Sequence, residues 1–139
     1  MNYWLFKTEP ETFSWDMQKK KGLKGEPWSG VRNWQAARNM KEMKKGDLGF
    51  FYHTGDEKRI VGIVEVIGEY RKDPTDETGK FGMVDVKAHK KLKKPVTLAT
   101  IKADSELADL ALVRQSRLSV MPIDAKAWAK ILKLGGGMA

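Results

Sequence analysis

Cysteine is absent from the 139 residues, which excludes disulfide staples and thiolate metal sites. Histidine is nearly absent: His53 and His89 stand alone with no ligand spacing around either, so no metal site is expected. No apolar run approaches the ~20 residues of a membrane helix, and the apolar start is too short for a signal peptide, so a cytoplasmic protein without membrane contact is expected. Nucleotide hydrolysis lacks its Gly-rich loop followed by Lys-Ser or Lys-Thr, and acyl transfer lacks a Gly-x-Ser-x-Gly elbow. These absences lead to an expectation of no catalytic residue and no cofactor.

What is present is positive charge and aromatic rings. There are 26 Lys and Arg against 18 Asp and Glu, for a net charge of +8, which attracts polyanions without identifying one. With 41% apolar and 32% charged residues, the length suits one folded domain over residues 1–139, with a monomer as the default.

The pattern predicts short strands and helices in alternation. Tyr3–Thr8 reads as an aromatic strand stopped by Glu9-Pro10, and Ser14 as the cap of a helix to about Lys21. After a loop over Gly22–Gly30, Asn33 caps a helix whose inner face is Ala36, Met40 and Met43. Leu48–His53 and Ile60–Tyr70 are strands, the second apolar on both faces and therefore covered on two sides. Val84–Ala88 alternates as a half-buried strand, while Val96–Ile101 has no decisive period. Asp104 or Ser105 is placed to cap a short helix to about Leu110. Asp124 caps a last helix with Ala127, Trp128, Ile131 and Leu132 inward, ended by Gly135–Gly137. The sum is an α+β domain built on a small barrel.

Four clusters combine aromatic rings with hydrogen-bonding groups: Tyr3-Trp4-Leu5-Phe6-Lys7-Thr8-Glu9-Pro10, Trp28-Ser29-Gly30-Val31-Arg32-Asn33, Phe51-Tyr52-His53-Thr54, and Leu112 to Val120. In these residues, and in their order along nearly the whole chain, the sequence resembles the EVE domain, a relative of the PUA and YTH domains. The resemblance implies a PUA-like β pseudo-barrel flanked by short helices. It also implies a non-enzymatic module that holds a modified nucleobase of DNA or RNA in an aromatic-lined pocket, with modified cytosine in DNA, such as 5-methylcytosine, as the lead ligand. Two alternatives stay open: a reader of a modified base in RNA, and a small-metabolite binder or enzyme using His53, which a carboxylate beside that histidine would favour.

The ligand-binding candidates follow the motifs. Lys7 and Thr8 end the first strand, where the family commonly has serine at the second position. Gly30, Val31, Arg32, Asn33 and Trp34 follow the loop tryptophan, Trp34 standing for a more usual tyrosine. Tyr52, His53 and Thr54 end the aromatic strand, and Ser116, Arg117, Leu118 and Ser119 close the set. Among the tryptophans, Trp4 and Trp128 lie in apolar patterns and belong to the core, whereas Trp15, Trp28 and Trp34 are divided between packing and stacking on a base. Hydroxyl, amide and guanidinium groups at Thr8, Arg32, Asn33, Ser116, Arg117 and Ser119 can read a base edge, or can be structural ion pairs and hydrogen bonds. Trp28, Asn33, His53 and Ser119 are expected to border one pocket. Phosphate contacts are expected from Lys90, Lys91, Lys93 and Lys94, and from the outer helix face formed by Lys126, Lys130 and Lys133.

Overall fold

The computed structural model describes residues 1–136. Its strands are β1 (Tyr3–Thr8), β2 (Glu26–Pro27), β3 (Leu48–His53), β4 (Arg59–Lys72), β5 (Gly82–Thr97) and β6 (Val120–Ile123). The helices are α1 (Trp15–Lys20), α2 (Trp34–Lys41), α3 (Leu98–Ala103), α4 (Ala111–Arg114) and α5 (Ala125–Leu134). All six strands join one sheet in the order β2-β5-β4-β3-β1-β6. Only β1 and β3 pair in parallel, and the crossover this demands carries α1, β2 and α2.

The fold is α+β and PUA-like, but the sheet is not a closed barrel: β2 and β6 are its two outer strands and do not pair with each other. The sheet therefore has a gap between its edges, and the candidate site lies there.

Burial follows the apolar pattern. On β4, Ile60, Val61, Ile63, Val64 and Val66 are all buried, so both faces are covered as two-sided apolarity requires. Trp128 of α5 stacks on Tyr3 at 4.5 Å and on Phe50 at 3.9 Å, which locks the last helix to β1 and β3. Three helix caps fall where expected: Ser14, Asn33 and Asp124 accept the amides of Met17, Ala36 and Ala127. The helix-ending glycine run is only partly in view, since Gly137 lies outside the described residues.

Two expectations are corrected. Strand β5 does not stop at Ala88 but continues through the lysine run to Thr97, because Leu92 and Val96 are buried while the lysines face out. Pro95 is tolerated because the pairing skips from Gly62↔Lys91 to Ile60↔Val96, leaving it in an irregularity where no ladder amide is needed. The helix expected from Asp104 to Leu110 is a series of turns. Helix formation occurs on either side instead, at α3, where Thr97 caps the amide of Thr100, and at α4.

Candidate functional site

A pocket of about 370 Å³ occupies the gap between the sheet edges. One edge contributes Glu26 and Pro27 of β2 and the loop Trp28–Arg32 that follows. The other contributes Lys7 and Thr8 at the end of β1, Thr12 and Phe13 beyond it, and Ser119 just before β6. An open sheet thus brings residues more than ninety positions apart to one hollow.

Trp28 is both wall and core. It lines the pocket, yet it is only 8% exposed and meets Phe6 at 5.2 Å, Phe51 at 5.7 Å and Phe13 at 6.1 Å, all edge to face. Its amide donates to the carbonyl of Val84 at 2.7 Å, which fixes the loop to β5.

The rest of the loop is held by Asp73, a buried carboxylate from the β4–β5 connection. Its Oδ2 accepts from the amide of Gly30 at 2.8 Å and from Arg32 Nη1 at 3.1 Å, while Oδ1 accepts from the amide and hydroxyl of Thr75. Burial opposes ionisation of this carboxyl. The bonds from Thr75, Gly30 and Arg32 outweigh it and hold the pKa at about 2. Gly30 has φ +82°, a conformation that favours glycine and turns the amide toward Asp73. Arg32 is therefore a clamped residue whose guanidinium also reaches Thr75 Oγ1 at 3.0 Å.

On the opposite rim, Lys7 Nζ donates to the carbonyl of Ser116 at 3.1 Å and lies 5.9 Å from the centre of the Tyr52 ring. Burial lowers its pKa below the ordinary lysine value. The Thr8 hydroxyl donates to the carbonyl of Phe13 at 2.9 Å and retains its lone pairs. The Lys7 amide bonds the Ser119 carbonyl at 2.8 Å; among the described residues the Ser119 hydroxyl has no partner, so it is available to a ligand.

Other candidates lie elsewhere. Asn33 is outside this pocket, and its side-chain Oδ1 accepts the Ala36 amide at 2.9 Å. With Gln35, Arg114, Gln115, Ser116, Arg117 and Leu118 it lines a second, shallower depression. Trp34 is 58% exposed at the start of α2 and rests on Phe81, at 4.5 Å between ring centres. Tyr52 is buried, and the Thr54 hydroxyl donates to the Thr8 carbonyl at 3.3 Å.

His53 and Trp15 depart furthest from expectation. The His53 ring is buried: Nε2 accepts the Trp15 amide at 3.0 Å, which places the ring proton on Nδ1, and that donates to Glu57 at 2.8 Å. A carboxylate does stand beside the histidine, but no ring nitrogen is left to take a proton from a ligand, and the residue does not line the pocket. The pair holds the entry to α1. Trp15 is core as well, 4% exposed and packed so closely over Gly62 that a Cβ there would lie 2.6 Å from its ring. The expected convergence of four residues on one pocket is thus reduced to Trp28 and Ser119.

The lysines also separate. Lys130 is paired with Asp104 and Glu106, which raise its pKa, and Lys126 lies 3.9 Å from Glu106, so this helix face is largely neutralised from within. Only Lys133 has no ion pair among the described residues on that face. Lys90, Lys91, Lys93 and Lys94 are exposed without ion pairs among the described residues. Lys90 and Lys91 border a depression with Lys19 and Leu23.

Sequence reasoning missed Thr12, Phe13, Glu26, Pro27 and Asp73. Of these, only Asp73-Pro74-Thr75 carries a readable signal, the side-chain turn that aspartate makes two residues before a hydroxyl. Its role as a clamp depends on a partner some forty positions away.

The sequence profile of the EVE domain matches residues 2–134. Thymocyte nuclear protein 1 of Danio rerio is 31% identical over 94% of this chain and 71% of its own. A solved protein of Agrobacterium tumefaciens is 45% identical with a TM-score of 0.96, covering 99% of this chain and 94% of that one. The human THYN1 protein, solved in complex with DNA containing 5-methylcytosine, is 27% identical with a TM-score of 0.92, and the match covers both chains in full.

Proposed function

The chain belongs to the EVE domain family, and from that premise we propose that it is a non-enzymatic module that binds a modified base of a nucleic acid, modified cytosine in DNA first. The observation that carries this reading is the pocket between the sheet edges. It has the volume for a single base, an aromatic wall at Trp28 and Phe13, and polar groups on opposite rims. A cytosine edge presents one amino donor and two acceptors. Glu26 on one rim, one carboxylate oxygen of which is paired with Lys21 at 3.3 Å, keeps its second oxygen as an acceptor for the amine. On the other rim, Ser119 and the ammonium protons of Lys7 not given to Ser116 supply donors. The human relative solved with 5-methylcytosine DNA supports the same ligand class. His53, with both ring nitrogens engaged, offers no support for a reaction.

The test is fluorescence anisotropy at one stated salt concentration, with 5-methylcytosine and unmodified strands as DNA duplex, single-stranded DNA and matching RNA. Tighter binding of a modified strand is expected, weakened by roughly 2- to 10-fold in Ser119→Ala, the scale of one hydrogen bond. Preference for the RNA form would select the RNA reading. Equal binding of modified and unmodified strands in every form would overturn the proposal.

A further inference from the structure

Trp34 is the most exposed aromatic residue described, at 58%, and the pocket does not use it. An isolated surface tryptophan needs no explanation, but this one belongs to a built arrangement. Its ring lies against Phe81 with 4.5 Å between centres and a tilt of 37°. Phe81 is held in place by its amide, which donates to Asp76 at 2.7 Å; the same carboxylate accepts from the amides of Thr78 and Lys80 and from the Thr78 hydroxyl. Arg32 lies 6.0 Å from the Phe81 ring centre while bonded to Asp73 and Thr75. Two aspartate-centred turns in one connection therefore fix an aromatic pair that stays open to solvent.

The pair adjoins the pocket, because Arg32 lines the pocket and also approaches Phe81. Its surroundings are cationic. Arg38, four residues after Trp34, lies on the same face of α2, and Lys80 precedes Phe81; both are exposed, and neither has an ion pair among the described residues. Of the acids in the β4–β5 connection, Asp73 is bound to Arg32 and Asp76 to its own turn, which leaves Glu77 exposed at the tip; Glu42, four residues beyond Arg38 at the end of α2, is exposed as well. Flat rings beside a base-sized pocket, flanked by free cations, match a nucleic-acid strand better than a protein surface: a base stacks on an aromatic face while its phosphates meet the cations.

We infer that Trp34, backed by Phe81, is a stacking platform for the nucleotide adjacent to the one held in the pocket. The inference rests on the pocket's being a base site. The platform reads no modification; it adds affinity and sets the direction in which the strand leaves.

The experiment uses the whole chain and a 5-methylcytosine-containing single strand in which each neighbouring position is made abasic in turn. Trp34→Ala should keep the wild-type melting temperature, since the side chain is mostly exposed. It should weaken binding roughly 5- to 150-fold, equally for modified and unmodified strands. In the wild type one neighbouring abasic position should carry a loss of similar size, and in Trp34→Ala that loss should vanish, because base and ring are partners in one contact. Trp34→Tyr should restore most of the affinity. Unchanged affinity in Trp34→Ala, or an abasic penalty of the same size in variant and wild type, would overturn the platform while the preference for the modified strand still supports the pocket. Loss of that preference in Trp34→Ala would also overturn it, by making Trp34 part of the pocket. A wild type that binds no strand would defeat both readings.

Discussion

The loop Trp28–Arg32 and the strand tip Tyr52–Thr54 look alike in sequence, each pairing aromatic rings with polar groups. In the fold they do opposite work. The strand tip spends its polar groups inside the protein, His53 on Trp15 and Glu57 and Thr54 on Thr8. The loop forms the rim of a pocket and is itself held from behind by Asp73. The difference teaches that a polar side chain is available to a ligand only when the fold has not already given it partners. A buried polar group left without a partner costs about 1–3 kcal/mol, so interior positions fill their hydrogen bonds first.

The comparison breaks most visibly at Trp28, which is rim and core together. Trp28→Ala should cost about 3–5 kcal/mol of stability, measured by urea unfolding, because it empties a site packed by Phe6, Phe13 and Phe51. A variant of wild-type stability would show that the loop merely rests on the core.

His53→Ala tests the other side. It removes the acceptor of a buried amide and should destabilise by about 1–3 kcal/mol while the preference for a modified strand survives. Loss of that preference at unchanged stability would return His53 to the pocket.

The clamp gives a pH signature. The Asp73 carboxyl titrates at about 2 in the folded chain against an ordinary 3.8. Its contribution is therefore present above about 3.8 and is lost as pH falls toward about 2. Wild type should lose more melting temperature than Asp73→Asn between pH 4 and pH 2. Parallel curves would mean that the clamp carries no linkage.

The smallest effects separate the lysines. Replacing Lys126 and Lys130 with Gln should leave the salt dependence of nucleic-acid binding nearly unchanged, since acids already pair them. Replacing Lys90, Lys91, Lys93 and Lys94 should flatten it by nearly one unit of log–log slope for each lost phosphate contact. The reverse result would place the strand along α5.

By itself the sequence determined what depends on neighbours along the chain. The apolar periods of β3 and β4, the caps at Ser14, Asn33 and Asp124, the α+β class and the family all rest on residues within a few positions of one another, where period and local hydrogen bonding act. Only the tertiary structure decided where β5 ends, because Leu92 and Val96 count as strand residues only once they are buried among the lysines. It also decided that the sheet stays open, since whether β2 meets β6 depends on strand order and not on either strand's residues. The site depended on the same non-local facts. Lys7, Trp28 and Ser119 meet because two sheet edges face one gap, and Asp73 reaches Gly30 and Arg32 across some forty residues. His53 left the site, and Lys130 lost its free charge, because each met a partner brought by the fold: the amide of Trp15 for one, Asp104 and Glu106 for the other. Sequence names the groups able to bind, and the three-dimensional partners decide which of them remain unsatisfied.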